Sequence, residues 1–313
     1  MIRHWDDVER RRQERGHIGG EWRRLTGQAT QQTGVSRIEI DPGKWSTPAH
    51  VHGAQEEIVY VLGGSGLAWR DGEVHEIGPG DCIVRRAGEE ANTLRGGDDG
   101  LDVLIFGMRV YDEAATLPRA GAAWLGDGWV RLGGEEDHPW AREAAAGAPE
   151  VGEPSPRPDT IVNVADVEVS VRETETIGRR QRDLGRAAGS EDTGLRISEV
   201  SPGKLNVPPH CHSAEEEIFV VLEGTGSLLL WGDTTSPEPT EEHELHEGHV
   251  VSRRAGTGVA HAFRGGDEGM TILMYGTRDP RDTCFYPRSN KVFLSGIGIV
   301  ARLEQVDFWD GEA

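Results

Sequence analysis

The sequence predicts an all-β protein made of two tandem antiparallel barrels of the jelly-roll type, with only short peripheral helices. The chain of 313 residues contains one pattern twice. Within each copy, short runs rich in Val, Ile, Leu and Phe alternate with Gly-rich turns, which is the spacing of an antiparallel sandwich or barrel. The 43 Gly and 16 Pro favour many short strands joined by tight turns over a helical fold.

The two copies align over most of their length. Thr33–Gly64 aligns with Thr193–Gly224 without a gap, and Gly78–Gly88 aligns with His246–Gly256. Between these blocks the second copy carries a longer polar segment, WGDTTSPEPTEEHELH, which predicts a longer hairpin loop. Self-similarity on this scale indicates that one structural unit is repeated.

The repeat divides the chain into three parts. We expect a first barrel over residues 1–135, a linker over 136–165 and a second barrel over 166–313. The linker contains a segment rich in Ala, Glu, Gly and Pro, AREAAAGAPEVGEPSPRP. Only Trp5–Arg15 and Trp140–Ala146 look helical.

Charge and composition restrict the partners and the location. A net charge of −21 argues against nucleic acid and anionic membrane surfaces. The chain has no apolar run of the roughly 20 residues that span a bilayer, and its start, MIRHWDDVERRRQERG, has no apolar signal core. We therefore expect a cytoplasmic protein with a small-molecule substrate. Cys82, Cys211 and Cys284 are too few and scattered for a disulfide framework, so we expect them to be small buried or half-buried fillers.

A homodimer is a further expectation. Barrels of this kind have sheet edges that another element or subunit usually covers. Trp5–Arg15 and the tail KVFLSGIGIVARLEQVDFW supply apolar surface that has no other role in the pattern. We expect them to cover an edge within the chain or across a dimer.

The second copy carries a candidate metal site. His210 and His212 are separated by one residue, so on a strand both imidazoles point to the same face. Glu217 opens the apolar run IFVVL of the next strand, and a later strand offers His261. Three imidazoles and one carboxylate suit a divalent transition metal such as Mn, Fe, Ni, Co, Cu or Zn, with coordination positions left open.

These segments resemble the first motif of the cupin superfamily, G-x5-H-x-H-x3,4-E-x6-G, and its double occurrence is similar to the two-domain bicupins. The motif residues are Gly203, His210, His212, Glu217 and Gly224 in the second copy and Gly43, His50, His52, Glu57 and Gly64 in the first. Both copies have six residues between the first Gly and the first His, where the motif has five. The second motif, P-x-G-x2-H-x3-N, is looser, with Arg86 and Arg254 in place of its Pro. The resemblance implies cupin barrels, also called double-stranded β-helices, with one divalent transition metal at each intact site.

The first copy departs from this pattern. Alignment from the shared R-G-G-D places Asn92 at the position of His261. His50, His52 and Glu57 remain, with Asn92 as a weaker oxygen ligand. A vestigial site that holds water or a weakly bound ion is the alternative.

The remaining candidate residues have weaker patterns. Cys211 points away from the face shared by His210 and His212, so we do not expect it to be a ligand. Four pairs recur in both copies, which is more typical of structural ion pairs than of substrate binding: Arg85-Arg86, Arg253-Arg254, Pro118-Arg119 and Pro287-Arg288. We expect surface positions for His75, His243, His246 and His249, and a linker position for His138. Every second residue along a strand faces the same side, so counting from His210, Glu217 and His261 predicts the residues that line the second cavity: Asn206, Pro208, Phe219, Val221 and Phe263. These residues are mostly apolar, so we expect the cavity to be poorly suited to a highly charged substrate.

The resemblance supports several functions. The three-His-one-Glu set resembles that of cupin dioxygenases such as quercetinases and acireductone dioxygenases, so a metal-dependent oxygenase is the leading hypothesis. The architecture also resembles oxalate decarboxylase and oxalate oxidase, but no lid with their catalytic acid is recognisable. A metal-dependent sugar isomerase or epimerase, or a non-catalytic binding cupin, are the alternatives.

We expect activity in the second barrel alone. Its Gly-rich loop Ala255–Gly258 borders the expected cavity mouth. In the first barrel, Glu89 and Glu90 occupy this loop and would repel an anionic substrate.

Overall fold

The two predicted barrels are present in the computed structural model, which confirms the all-β fold class. The structure describes residues 1–111, 113–125, 128–129, 138–233, 235–304, 306–307 and 309–311. The predicted boundary at residue 135 lies outside these residues. Among the described helices, none is long and apolar enough to cross a membrane.

Strands of the first barrel come mostly from the first half of the chain. They are β2 (Arg11–Arg15), β3 (Ile18–Arg24), β4 (Thr33–Ile40), β5 (Val51–His52), β6 (Glu57–Arg70), β7 (Glu73–Ile77), β8 (Asp81–Arg85), β9 (Asn92–Met108), β10 (Ala114–Leu117), β11 (Ala122–Leu125), β12 (Gly128–Trp129) and β13 (Ile161–Asn163).

Strands of the second barrel repeat this series. They are β1 (Ile2–His4), β14 (Ser170–Glu173), β15 (Gly178–Asp183), β16 (Thr193–Val200), β17 (Cys211–His212), β18 (Glu217–Trp231), β19 (Glu241–His246), β20 (His249–Arg253), β21 (Ala260–Thr277), β22 (Thr283–Tyr286), β23 (Lys291–Leu294) and β24 (Ile299–Arg302). The two α-helices of the described chain are α1 (Pro139–Ala145) and α2 (Leu184–Ala187).

Each barrel consists of a large and a small antiparallel sheet with the same strand order. The large sheets run β13-β8-β6-β9-β4-β3-β2 and β1-β20-β18-β21-β16-β15-β14, with β7 and β19 as additional partners of β6 and β18. The small sheets run β5-β10-β11-β12 and β17-β22-β23-β24. The central strands β6 and β18 therefore hold equivalent positions, as the repeat predicts.

The barrels exchange edge strands. β1, which precedes the first barrel in the chain, pairs with β20 of the second barrel. β13, which lies inside the predicted linker, pairs with β8 of the first barrel. Each large sheet thus has one edge covered by a strand from just before the other barrel, a common way to protect an edge.

The helix expected over Trp5–Arg15 is wrong. Only Trp5–Asp7 forms a turn of 3-10 helix, and Arg11–Arg15 forms the edge strand β2, whose residues are all exposed. Arg12 is paired with Asp41 at 2.6 Å, and charged side chains of this kind are typical of solvated edges. The second expected helix, Trp140–Ala146, is present as α1.

The tail adds strands to the second barrel. β23 and β24 pair with each other and extend the small sheet, which leaves apolar side chains such as Ile299 and Val300 exposed. Gln305 and Phe308 of the tail lie outside the described residues. The homodimer stays a prediction.

A continuous apolar core joins the barrels. Ile58 and Phe106 of the first barrel belong to the same buried cluster as Ile218 and Tyr275 of the second. The rings of Phe106 and Tyr275 lie 5.2 Å apart.

Two buried glutamates connect the barrels reciprocally. The Glu216 carboxylate accepts hydrogen bonds from the Gln31 and Gln32 backbone N–H groups at 3.0 Å, and from the Thr33 hydroxyl. In the same way, Glu56 accepts hydrogen bonds from the second barrel, donated by the Ser190 hydroxyl and by the Glu191 and Thr193 backbone N–H groups. Both glutamates are 1% exposed, so these carboxylates depend on the partner barrel for their solvation.

The recurring arginines are mainly structural. Arg86 donates to the Gly189 carbonyl at 3.0 Å, and Arg254 donates to the Ala29 carbonyl at 3.1 Å, so each reaches the other barrel. Arg119 forms the expected ion pair, at 2.8 Å from the buried Glu143.

We predict that Glu216→Ala destabilises the protein strongly. The substitution removes three hydrogen bonds to a buried carboxylate, each contributing about 1.5–3 kcal/mol, and leaves buried N–H donors without acceptors. Glu223→Ala, at an exposed position of the following strand β18, is the matched control and should change stability by less than about 0.5 kcal/mol. Chemical unfolding of the two variants measures this, and equal stability would contradict the role given to Glu216.

Candidate metal centre

The four candidate ligands of the second barrel converge from three strands and one flanking residue. His210 forms an antiparallel backbone bridge with His261 of β21, His212 ends β17, and Glu217 opens β18. The Glu217 Oε2 atom lies 3.1 Å from His261 Nε2 and 3.7 Å from His212 Nε2. The His210 ring centroid lies 4.7 Å from that of His261 and 5.1 Å from that of His212. Sequence reasoning therefore selected residues that are neighbours in space.

Hydrogen bonds on the outer side fix two of the imidazoles. His210 Nδ1 lies 3.0 Å from the Pro208 carbonyl oxygen, and His212 Nδ1 lies 2.8 Å from Asp282 Oδ2. These contacts leave each Nε2 free to face the centre, the arrangement found around metal-binding histidines.

Sequence reasoning missed Asp282 and its counterpart in the first barrel, Glu113. Glu113 Oε1 lies 3.0 Å from His52 Nδ1, so the contact is repeated in both barrels. The signal was available, because each acid follows a shared arginine, Arg109 or Arg278, at the same spacing in the aligned copies.

Burial and the charges of neighbouring ligands strongly shift the pKa values of the candidate metal ligands. Burial, followed by the charge of His261, lowers the pKa of His210 to about 3. Burial alone would lower the pKa of His212, but Glu217 and the hydrogen bond to Asp282 outweigh it and raise that pKa to about 12. Burial alone would raise the pKa of Glu217, but His212 and His261 hold it well below its usual range.

The centre has the properties of a cation site. Glu217 Oε2 and His261 Nε2 are buried, and neither has a hydrogen-bond partner of good geometry among the described residues. Unpartnered buried donors and acceptors are costly, and a metal ion would satisfy both. His210, Glu217 and His261 form a group able to hold a metal ion, and His212 Nε2 lies 3.7 Å from the carboxylate of that group. Three imidazole nitrogens and one carboxylate suit a divalent transition metal.

The first barrel repeats the frame with different chemistry. Asn92 bridges to His50 as His261 does to His210, so the alignment places it correctly. His50, His52 and Glu57 form a second group able to hold a metal ion. Asn92 Oδ1 is buried without a hydrogen-bond partner among the described residues, and a neutral amide oxygen is a weaker ligand than an imidazole for most transition metals.

An arginine further separates the two centres. In the first barrel, Arg85 Nη1 lies 3.4 Å from Glu57 Oε2, so a fixed cation competes for the candidate ligand. The equivalent Arg253 donates to the Val259 carbonyl oxygen at 2.8 Å. It makes no ion pair with Glu217 among the described residues, which leaves this carboxylate available for a metal.

The second centre opens into a cavity of about 1060 Å³. Phe219 and Asn206 line it, as predicted from parity. Pro208 is exposed, so its inward assignment is wrong, whereas Val221 and Phe263 belong to the apolar core.

The cavity is also more polar than expected, because β15 and β16 contribute a second wall outside the motif strands. This wall includes Arg179, Gln181 and Arg196.

Comparison with protein families identifies the repeated unit. The family model described as "Cupin domain" matches twice, over residues 36–101 and 196–275. The chain is a two-domain cupin. None of the curated proteins matches it significantly.

Solved bicupin structures share the fold of this cupin. Oxalate decarboxylase from Bacillus subtilis at pH 4.6 has 13% sequence identity and a TM-score of 0.59, with 88% of this chain and 75% of that chain covered. A Bacillus subtilis oxalate decarboxylase with Mn(II) centres has 13% identity and a TM-score of 0.58, covering 88% and 76%. An oxalate decarboxylase studied for its substrate binding mode has 14% identity and a TM-score of 0.58, covering 88% and 76%.

The three cysteines and His138 have structural positions. Cys211 is half-buried, Cys82 and Cys284 are buried, and all three are free thiols, as expected. His138 caps α1 by accepting from the Trp140 backbone N–H at 3.1 Å.

The surface histidines need a correction. His246 is exposed, and His243 and His249 are partly exposed. The surface assignment of His75 is wrong, because it is 2% exposed and its strand is covered by the segment around Ser155.

The expected repulsion from the first barrel's loop is also wrong. Glu90 pairs with Arg70 at 2.8 Å, and Glu89 lies 3.7 Å from both Arg70 and Arg86. These arginines compensate the charge of the two carboxylates.

We predict that His212→Ala sharply lowers the metal content of the purified cupin, because it removes one of four ligands. Asp282→Asn keeps the ligand but weakens its orientation, and should lower metal affinity by about 10- to 100-fold. Elemental analysis and chelator competition measure both effects. Wild-type metal content in His212→Ala would contradict the ligand assignment.

We also predict that the two centres fill unequally. Under limiting metal, the second centre should retain its ion while the first empties, because Asn92 and Arg85 weaken the first. Asn92→His should raise occupancy near His50, as measured by anomalous scattering. Stronger wild-type occupancy near His50 than near His210 would contradict this.

Proposed function

We propose that this cupin is a metal-dependent enzyme that acts on a small organic molecule in the second barrel. The observation that carries the proposal is the convergence of His210, His212, Glu217 and His261 in the lining of a large cavity. Such a centre, with a metal bound, would polarise a substrate oxygen and leave coordination positions open. The Pro208 carbonyl orients His210 and Asp282 orients His212, and the residues that line the cavity surround the substrate.

The first candidate reaction is an oxygenation. Its support is the three-His-one-Glu donor set, in which four protein ligands leave room for more than one small molecule. The cavity beside the set is large enough for an organic substrate, because small-molecule sites typically occupy about 300–1,000 Å³.

The second candidate reaction is a redox-neutral cleavage such as decarboxylation. The structural neighbours are oxalate decarboxylases, one of them with Mn(II) centres. At 13% identity they share the fold, and their reaction comes to this chain only as a hypothesis.

A gas measurement separates the two reactions. The metal-loaded protein is incubated with a panel of catechols, flavonols, diketones and keto acids, and oxygen uptake and carbon dioxide release are recorded together. An oxygenase consumes oxygen in step with substrate loss, whereas a redox-neutral decarboxylase releases carbon dioxide with no oxygen uptake. Turnover that persists unchanged after metal removal would contradict both.

We predict that turnover depends on the second barrel. Glu217→Gln should reduce it by about 100-fold or more, because it removes the anionic ligand of the metal on which turnover depends. Glu57→Gln is the matched variant in the first barrel and should leave most of the activity. Circular dichroism controls for folding. Loss only in Glu57→Gln would reverse the assignment, and equal loss would show that the barrels act together.

A further inference from the structure

One side of the second cavity is a polar wall, which we define as Arg179, Gln181 and Arg196. The strand register places it. Arg179 is opposite Val200, Gln181 is opposite Ser198, and Asp183 is opposite Arg196. Residues directly opposite in an antiparallel pair project to the same face of the sheet.

The same register continues to the metal centre. Arg196 is opposite Met274, which is in turn opposite Phe219, and Phe219 lies two residues along β18 from Glu217. The polar wall and the Glu217 carboxylate therefore face the interior of the second barrel, and both line the same cavity.

Arg179 stands out among the cations of this wall. Arg196 is paired with Asp183 at 3.1 Å, so its charge is balanced. The Arg179 side chain has no ion pair and no hydrogen-bond acceptor within the described part of the chain. It is only partly exposed, and burial followed by the charge of Arg196 lowers its pKa. A partly desolvated guanidinium without a counter-charge is a strong site for a carboxylate, which it can bind through two parallel hydrogen bonds.

Two neighbours make Arg179 part of a built subsite. The Gln181 Oε1 atom is buried without a hydrogen-bond partner among the described residues, so the wall also offers an acceptor for a hydroxyl or N–H group of a ligand. Tyr286 interacts electrostatically with Arg179, and its ring stacks on His210 at a centroid separation of 5.8 Å. A ligand that contacts Arg179 is therefore close to the candidate metal ligands.

The first barrel provides an internal comparison. Gly20 and Trp22 take the positions of Arg179 and Gln181, because their strand partners Ile40 and Ile38 align with Val200 and Ser198 in the repeat. Trp22 packs against the apolar core of that barrel and lies 6.4 Å from the Trp140 ring of α1. The equivalent wall of the first barrel is thus apolar and occupied by a large side chain.

We propose that Arg179 binds a carboxylate of the substrate, while Gln181 accepts a hydrogen bond from a hydroxyl or N–H group of the same molecule and another part of it reaches the metal centre. This inference rests on the proposed function and narrows it to anionic organic substrates. Arg179 acts as a specificity-determining residue, and the first barrel, which has Gly20 and Trp22 instead, lacks the subsite.

Binding of matched pairs tests the proposal without a known reaction. Acetate, oxalate, succinate and benzoate are each compared with their neutral amides, by calorimetric titration of the metal-loaded protein. The wild type should bind at least one carboxylate in clear preference to its amide. Arg179→Gln should weaken that carboxylate by at least about tenfold, as expected for hydrogen bonds to a charged partner, with little effect on the amide.

Two further variants complete the design. Arg180→Gln is the matched control, because Arg180 is exposed on the same strand beside Glu199 and should bind as the wild type does. Arg179→Lys keeps the charge and should retain part of the preference. Metal content must be equal in all variants, which separates this test from the metal assignment.

The outcomes that overturn the proposal are distinct from those that overturn the function. A carboxylate preference that is unchanged in Arg179→Gln would show that the metal alone binds the anion. Absence of any carboxylate preference in the wild type would also overturn the proposal. Neither result bears on metal-dependent turnover, which the gas measurement decides separately.

Discussion

Two consecutive glutamates at the start of each central strand organise the protein. Side chains alternate along an extended segment, so Glu216 and Glu217 must point in opposite directions. Glu216 enters the interface and accepts hydrogen bonds from the first barrel, whereas Glu217 enters the second barrel and faces the candidate metal centre. The pair Glu56 and Glu57 does the same in the other barrel.

This arrangement couples the interface to the site. The Glu216 carboxylate is buried and keeps its hydrogen bonds only when the barrels are packed together. A shift of the strand by one residue that moved Glu217 to the place of Glu216 would bring the apolar Ile218 to the centre and remove the carboxylate from it. The hydrogen bonds of Glu216 therefore stabilise the register on which the convergence of the four candidate ligands depends.

Much of this could be predicted from the sequence, because the repeat and the alternation of side chains are local signals. His210, His212 and Glu217 follow from spacing along adjoining strands, and Asn92 follows from alignment with His261. The exchange of β1 and β13 could not be predicted, because pairing between distant edges leaves no local pattern. The Trp5–Arg15 segment was misread for a similar reason: its charges suit an exposed edge strand as well as a helix face. The polar wall was missed because parity was counted only along the motif strands, while Arg179 and Gln181 come from a strand with no motif.

The two barrels have the same strand order but differ in a few side chains that face their interiors, and these side chains change what each barrel can bind. Both keep an outer carboxylate on a histidine, Glu113 or Asp282, so the geometry of the imidazoles is maintained in each. They differ in whether the inner carboxylate is available. Arg85 approaches Glu57, whereas Arg253 is held by a backbone carbonyl, so that His212 and His261 rather than an arginine lie beside Glu217. The same barrel that frees its carboxylate for a metal also has a cavity with a polar wall, whereas the other places Trp22 there. Among the described residues, the candidate centre with three histidines and one glutamate and the cavity with the polar wall therefore belong to the same barrel.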